Sequence, residues 1–458
     1  MSTTSPAPTE ALATFVAGLR FEQLPSPVVA MASDIILDTL GCGIAAWRDD
    51  REKADVAAGL ARSFDAAPKA AIWGSGERTD AAVAALANGI LANAADFDDT
   101  HKRALLHTGS VVVPPVLALA EERGLTGPEI VTAIVAGYEV AVRVGMAVMP
   151  THYRFWHSTA TNGTFGAAAS AASCLGLDAR STLMALGFAG TQAAGLNTFF
   201  TYGDMTKSLH PGKASMNGII SARLAEIGGT SPPTILEHEK GYLAAYSLEP
   251  KPDALTGGLG QKWEILENGF KFFPSILASH AAIQATLDAV TTNDIAADDI
   301  ASIVNETYST VKSHFSAKTV TTGMGARVSV PYCCAVAAID RAVGQAQFAQ
   351  ARVMRDDVQR LLGNTEVVAV DELTAQYPTK FPARVTVTLK DGRKFTSQRD
   401  FPKGDPQDPL TPAEIGAKFL DNAAARYSPS EATELARLVR ALPELGDTKP
   451  LWSLLVRS

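Results

Sequence analysis

The chain has 458 residues, 47% hydrophobic and 19% charged, with a net charge of −8 and a pI near 5.6. The length exceeds one ordinary core, so two domains are expected, and the apolar content excludes a largely disordered chain. The acidic balance argues against nucleic acid or an anionic membrane as a partner, because both favour a basic face.

The opening residues, MSTTSPAPTEA, carry no basic stretch followed by an apolar core, so no secretory signal is expected and the protein reads as cytoplasmic. PVVAMASDIILDTLGCGIAAW and RTDAAVAALANGILANAADF then place apolar residues at three- and four-residue steps with small residues between, the pattern of tightly packed helices. The longest apolar runs, near 111–120 and 130–149, are interrupted by Pro114, Pro115, Glu139 and Arg143, and read as buried helices rather than membrane spans.

Between these runs lies the densest chemistry in the chain, ANAADFDDTHKRALLHTGSVVVPP. Asp96, Asp98, Asp99, His101 and His107 crowd into twelve residues and could supply the proton donor, acceptor and orienting partner of acid/base catalysis. An isolated Asp-Asp pair more often forms a solvated turn that caps the next helix. A metal set is the competing reading, but the chain has no His-Glu-x-x-His and no zinc spacing. Four scattered cysteines (Cys42, Cys174, Cys333, Cys334) with no Cys-x-x-Cys give neither a disulfide framework nor an iron–sulfur ligand set, and Cys333 and Cys334 read as a helix core. The site is expected to use no metal and no cofactor.

Three later segments join it. In RFWHSTATNGTFG, His157 precedes a Ser/Thr-rich turn at the start of a Gly/Ala helix. In TKSLHPGKASMNG, Lys207 and His210 stand three apart and share a face if the turn is helical, with a break expected at Pro211-Gly212. In FKFFPSILASH, Lys271 lies among phenylalanines, either snorkelling or held for a ligand carboxylate. The Pro- and Gly-rich SLEPKPDALTGGLGQKW reads as a linker. Beyond it, 301–311 and ARVTVTLKDGRKFTSQ alternate with period two, and Asp391-Gly392 marks a hairpin turn. Helices return after Thr411 and Ser428, each a plausible cap. The fold expected is mainly α: a helical domain formed by both chain ends, residues 1–258 and 405–458, plus a smaller α+β lid domain, 259–404.

IILDTLGCGIAAW, DFDDTHKRALLHTGSVVVPPVLALAE, GTFGAAASAASCLGLD, TKSLHPGKASMNGIISARLAEIG and the ARVTVTLKDGRKF hairpin together resemble the MmgE/PrpD family over nearly the whole chain. That family includes 2-methylcitrate dehydratase, cis-aconitate decarboxylase and iminodisuccinate epimerase. The resemblance implies a homodimer with a cofactor-independent site between the domains, acting on a small di- or tricarboxylate. It implies catalytic roles for Asp96, His107, His157, Lys207 and Lys271, with Thr100 of the DFDDT motif and His210 as substrate contacts; Lys102 and Arg103 are expected to contact substrate on the strength of their charge rather than of the resemblance. Two departures stand out. Lys102 and Arg103 replace the tryptophan or proline common in dehydratase and decarboxylase relatives. Pro274, Ser275 and Ile276 follow Lys271 where decarboxylase-like members carry a histidine or a cysteine pair.

The expected reaction passes through a carbanion- or enolate-like species in an electropositive, water-poor pocket. Lys207 and Lys271 would neutralise carboxylates and His107 or His157 would move the proton, with Asp96 orienting one of them. A hydro-lyase acting on a 2-methylcitrate-like hydroxy-acid is the favoured reading, because that activity is the family's most general label. The alternatives are a cis-aconitate-type decarboxylase, against which the missing lid histidine counts, and an iminodisuccinate-type epimerase, which Lys102 and Arg103 would suit. A non-catalytic carboxylate-binding paralogue is the remaining class, and the acid/base pair argues against it.

Overall fold

A computed structural model describes residues 6–202 and 204–456. The chain divides into two compact units, the first running to Asn268 and resuming at Thr411, the second Gly269–Leu410. The first is helical and the second mixes helices with a small sheet, so the fold is mainly α with a smaller α+β part.

Six long helices build the core of the first unit: α1 Ser26–Asp49, α2 Ala81–Asn93, α3 Gly109–Arg123, α4 Gly127–Val148, α5 Ser158–Cys174 and α6 Thr206–Glu226. Their ends have local causes. Asp80 caps α2 by accepting the Ala82 N–H at 2.9 Å, Gly124 closes α3 in the left-handed conformation at φ 69°, and Thr126 and Glu129 cap each other at the start of α4. α1 and α4 are long and apolar enough to cross a membrane, but both are largely buried in this unit and serve as its core helices. Inside α4 the fully buried Arg143 pairs with Glu139 at 3.1 Å and donates to the Gly257 and Lys262 carbonyls, while Glu139 accepts the Ile265 N–H. These bonds tie residues 257–265 to α4, which is why the first unit extends to Asn268 rather than ending at 258.

Small residues set how closely the helices pack. A Cβ on Gly89 would stand 2.7 Å from Gly212 Cα, so α2 and α6 meet backbone to backbone. That contact explains a difference from expectation: α6 runs unbroken through Pro211-Gly212. The ladder bond that proline forgoes is offset by a crossing that only glycine permits.

The second unit holds α7 Leu277–Thr292, β1 Ile300–Thr307, α8 Val330–Asp340, β2 Thr365–Ala369, β3 Ala383–Leu389 and β4 Lys394–Arg399. Strand order is β2-β1-β3-β4, with β1 and β2 parallel and the other pairs antiparallel. A parallel pair needs a crossover, and α8 lies in that connection. β3 alternates buried and half-buried residues, so Val385 and Val387 join Ile303, Ile283, Cys333 and Cys334 in one apolar core. The β3–β4 hairpin turns at Gly392, φ 90°. The alternation read over 301–311 ends as a strand at Thr307, and Ser309–His314 is a short helix. All four cysteines are buried free thiols.

After Leu410 the chain rejoins the first unit as α9 Pro412–Ala423 and α10 Pro429–Ala441. Thr411 with Glu414 and Ser428 with Glu431 form reciprocal capping boxes, and α9 packs against α1.

Candidate active site

The site of the first unit grows from the loop between α2 and α3. After α2 stops at Asn93, Asp96 takes a left-handed conformation, φ 53°, with its N–H bonded to the Asn93 carbonyl at 3.1 Å. A non-glycine residue held there is uncommon and signals a backbone fixed by its surroundings. The loop then closes on itself. His101 and Leu106 exchange backbone hydrogen bonds as an isolated antiparallel bridge, which places His107 immediately after it.

Two side chains meet at Asp96. Lys207, on the first turn of α6, brings its Nζ to 2.6 Å from Asp96 Oδ1, and His107 Nε2 lies 3.6 Å from the same oxygen. The other ring nitrogen, His107 Nδ1, is 3.3 Å from Asp98 Oδ1. Asp98 is itself held by Asn93, whose side-chain amide donates to both carboxylate oxygens at 3.0 Å. His107 therefore stands between two carboxylates, and its backbone N–H donates to Thr159 Oγ1 on α5. A turn is the commoner reading of the Asp98-Asp99 pair; the structure puts Asp98 against the imidazole, where it can orient the ring. The motif's crowding of carboxylates was the available signal.

Asp99 does shape the turn. It accepts the Gly109 N–H at 2.9 Å and the Tyr138 hydroxyl at 2.6 Å, and burial pushes its carboxyl up to about 7. Asp96, Asp98 and His107 each offer a donor atom within 4.8 Å of the others, the spacing of a metal-ligand set. The ammonium of Lys207 lies beside this set, 2.6 Å from Asp96 Oδ1.

A second group adjoins the first. His157, the residue immediately before α5, and His210, one turn beyond Lys207 on α6, approach Nδ1 to Nδ1 at 2.9 Å. Phe199 packs edge-on against both rings, and the His107 ring centre is 6.4 Å from that of His157. Burial drives His157 well below its ordinary value, helped by the nearby His210, Lys207 and His107 charges. Burial first, then Lys213, lowers His210 to about 4. Both rings are thus neutral near pH 7, one donating and the other accepting. The side chain of His157 makes no cap hydrogen bond to α5, which leaves both ring nitrogens to other partners.

The remaining expected residues are placed as follows. Thr100 is buried, and its hydroxyl has no hydrogen-bond partner among the described residues. Lys102 is half-buried. Arg103 forms an ion pair with the buried Glu264, which also holds Lys262 at 3.0 Å. Glu264 went unnoticed because nothing local links it to a residue 161 positions away. Lys271 belongs to the second unit and is buried.

A helical unit that gathers buried carboxylates, a paired lysine and three histidines holds the kinds of group that acid/base chemistry uses. The MmgE/PrpD N-terminal domain matches residues 10–255 and the MmgE/PrpD C-terminal domain residues 273–444, and the chain belongs to the MmgE/PrpD family. It is similar to the cis-aconitate decarboxylase of Homo sapiens, 28% identical over 468 residues, covering 98% of this chain and 94% of the relative. The cis-aconitate decarboxylase of Aspergillus terreus is 26% identical over 465 residues, 96% of this chain and 94% of the relative. That of Mus musculus is 26% identical over 463 residues, covering 98% and 93%.

Proposed function

We propose that this chain is a carboxy-lyase that removes one carboxyl group from cis-aconitate or a closely similar unsaturated tricarboxylate. The observation that carries the reading is similarity along almost the whole chain to cis-aconitate decarboxylases from mammals and a fungus. This reverses the preference drawn from the sequence, where a hydro-lyase was favoured and the decarboxylase was the alternative.

The chemistry balances without an added reactant. The bond from the methylene carbon to its carboxylate breaks and releases CO2. That electron pair forms a new carbon–carbon double bond at the methylene, and the old double bond shifts its pair to the neighbouring CH carbon, which takes up one proton. A trianion becomes a dianion, so a cation near the remaining carboxylates lowers the barrier as charge redistributes. Lys207 takes that role, with Asp96 fixing its ammonium by a 2.6 Å contact. The proton donor in this reading is His107, whose Nε2 lies 3.6 Å from the Asp96 oxygen that holds the Lys207 ammonium. His157 then serves as a hydrogen-bonding partner whose tautomer His210 sets. Thr100 and Lys102 are substrate contacts in this reading.

One observation favours a second reading. Pro274, Ser275 and Ile276 stand where decarboxylase-like relatives carry a histidine or a cysteine pair, which would suit a hydro-lyase acting on a 2-methylcitrate-like acid. Proton NMR of the purified protein incubated with cis-aconitate, 2-methylcitrate, citrate and iminodisuccinate separates the two. Loss of cis-aconitate signal with appearance of a five-carbon dicarboxylate supports the carboxy-lyase. Turnover of 2-methylcitrate alone would overturn it.

A further inference from the structure

The DFDDT loop is held from a direction that the site chemistry does not use. Lys418, on α9, has a side chain only 7% exposed. Its ammonium donates to the Phe97 carbonyl at 2.8 Å, pairs with Asp38 of α1 at 2.7 Å and lies 3.8 Å from the centre of the Phe97 ring. Phe97 is the residue between Asp96 and Asp98. The Lys207 contact and both His107 contacts therefore depend on a peptide whose oxygen is pinned by a residue 321 positions away.

Each partner is of a kind that is costly to bury alone. An ammonium withdrawn from water needs an anion and acceptors with good geometry, and Asp38, wholly buried, needs a cation. Charge-assisted bonds of this sort are short and directional, and a cation over an aromatic face adds a third constraint. A backbone turn with Asp96 at positive φ requires such over-determination to persist.

We propose that Lys418 is a positioning residue: through the Phe97 carbonyl it fixes the backbone between Asp96 and Asp98, and so sets where these carboxylates meet Lys207 and His107. The return of the chain to the first unit after Thr411 thereby supplies part of the site's support. The proposal rests on the acid/base reading of that site, and its test includes a measurement that needs no substrate.

The double variant K418M/D38L removes both buried charges together, which is tolerated far better than removing one. It is expected to melt within a few degrees of wild type, while kcat on the confirmed substrate falls about tenfold or more and KM stays within about twofold, the signature of displaced catalytic groups. Selective 13C labelling of the eight histidines gives the second readout. The His107 ring resonance is expected to move, whereas those of His238 and His314 stay. If the double variant does not fold, K418R, which keeps the charge but replaces a point donor with a planar fork, is measured in the same two ways. Wild-type kcat together with an unmoved His107 resonance in a folded variant overturns the proposal. If the wild-type protein fails to turn over any tested carboxylate, the reaction reading falls, while the histidine spectrum still decides whether Lys418 positions His107.

Discussion

His107 and the His157–His210 pair lie close together in the first unit, in opposite surroundings. His107 touches two carboxylates, one of them carrying the Lys207 ammonium. His157 and His210 face each other and Phe199, and burial keeps both neutral. The residue type is the same, so the surroundings make the difference: an imidazole against two carboxylates on one side, a neutral hydrogen-bonding pair on the other, and the proposed reading gives the first the proton transfer. The comparison also shows why the two groups need different support. The charged one depends on backbone positions in a tight loop, and the neutral one on two helix surfaces held together by small residues.

The sharpest way to break the comparison is to remove the proton carrier. His107→Gln is expected to lower kcat about a thousandfold with a small change in KM, whereas a near wild-type kcat would move the acid role to the other pair. Lys207→Met should lower kcat/KM by a few hundredfold, with KM rising as well, because the ammonium neutralises charge in both ground and transition states. His210→Asn acts only through the tautomer of His157 and is expected to cost about tenfold in kcat. A drop as large as that of His107→Gln would give His210 a direct part in the chemistry.

The smallest effect is on stability. His152 is buried, with one ring nitrogen on the Tyr246 carbonyl and the other on Thr161, and burial lowers it to about 4. Its folded-state value lies below its unfolded one, so its contribution is present above pH 6.5 and is lost as pH falls toward 4. Urea unfolding of wild type and His152→Gln at pH 7 and pH 4.5 should show a wild-type acid loss larger by about 2 kcal/mol. Equal losses in the two proteins would remove this histidine from the acid response.

Much of the fold was legible because periodicity and caps act locally. Thr411 and Ser428 capped the helices assigned to them, and Asp391-Gly392 turned the expected hairpin. What distance hides was not legible. The bonds from Arg143 to Gly257 and Lys262, which keep residues 257–265 with the helical unit, link positions more than a hundred apart. The same holds for Lys418 on Phe97 and for Glu264 on Arg103. The break expected at Pro211 failed because a backbone contact with Gly89 cannot be seen in either segment alone. Within the site, Asp96, His107, His157, Lys207 and His210 were recognised by motif and are gathered in one place, while the contact of Asp98 with His107 needed three dimensions. The choice between reactions turned on whole-chain relatives rather than on any one side chain.

The central claim is that His107 delivers the proton that accompanies loss of CO2. It is tested most directly by following cis-aconitate in deuterated water, counting CO2 released and deuterium fixed in the product, for wild type and His107→Gln. The expected result is one deuteron at the former CH carbon for each CO2 from wild type, with both rates falling together by about a thousandfold in the variant. CO2 release at the wild-type rate by His107→Gln, or consumption of cis-aconitate with no CO2, would contradict the account.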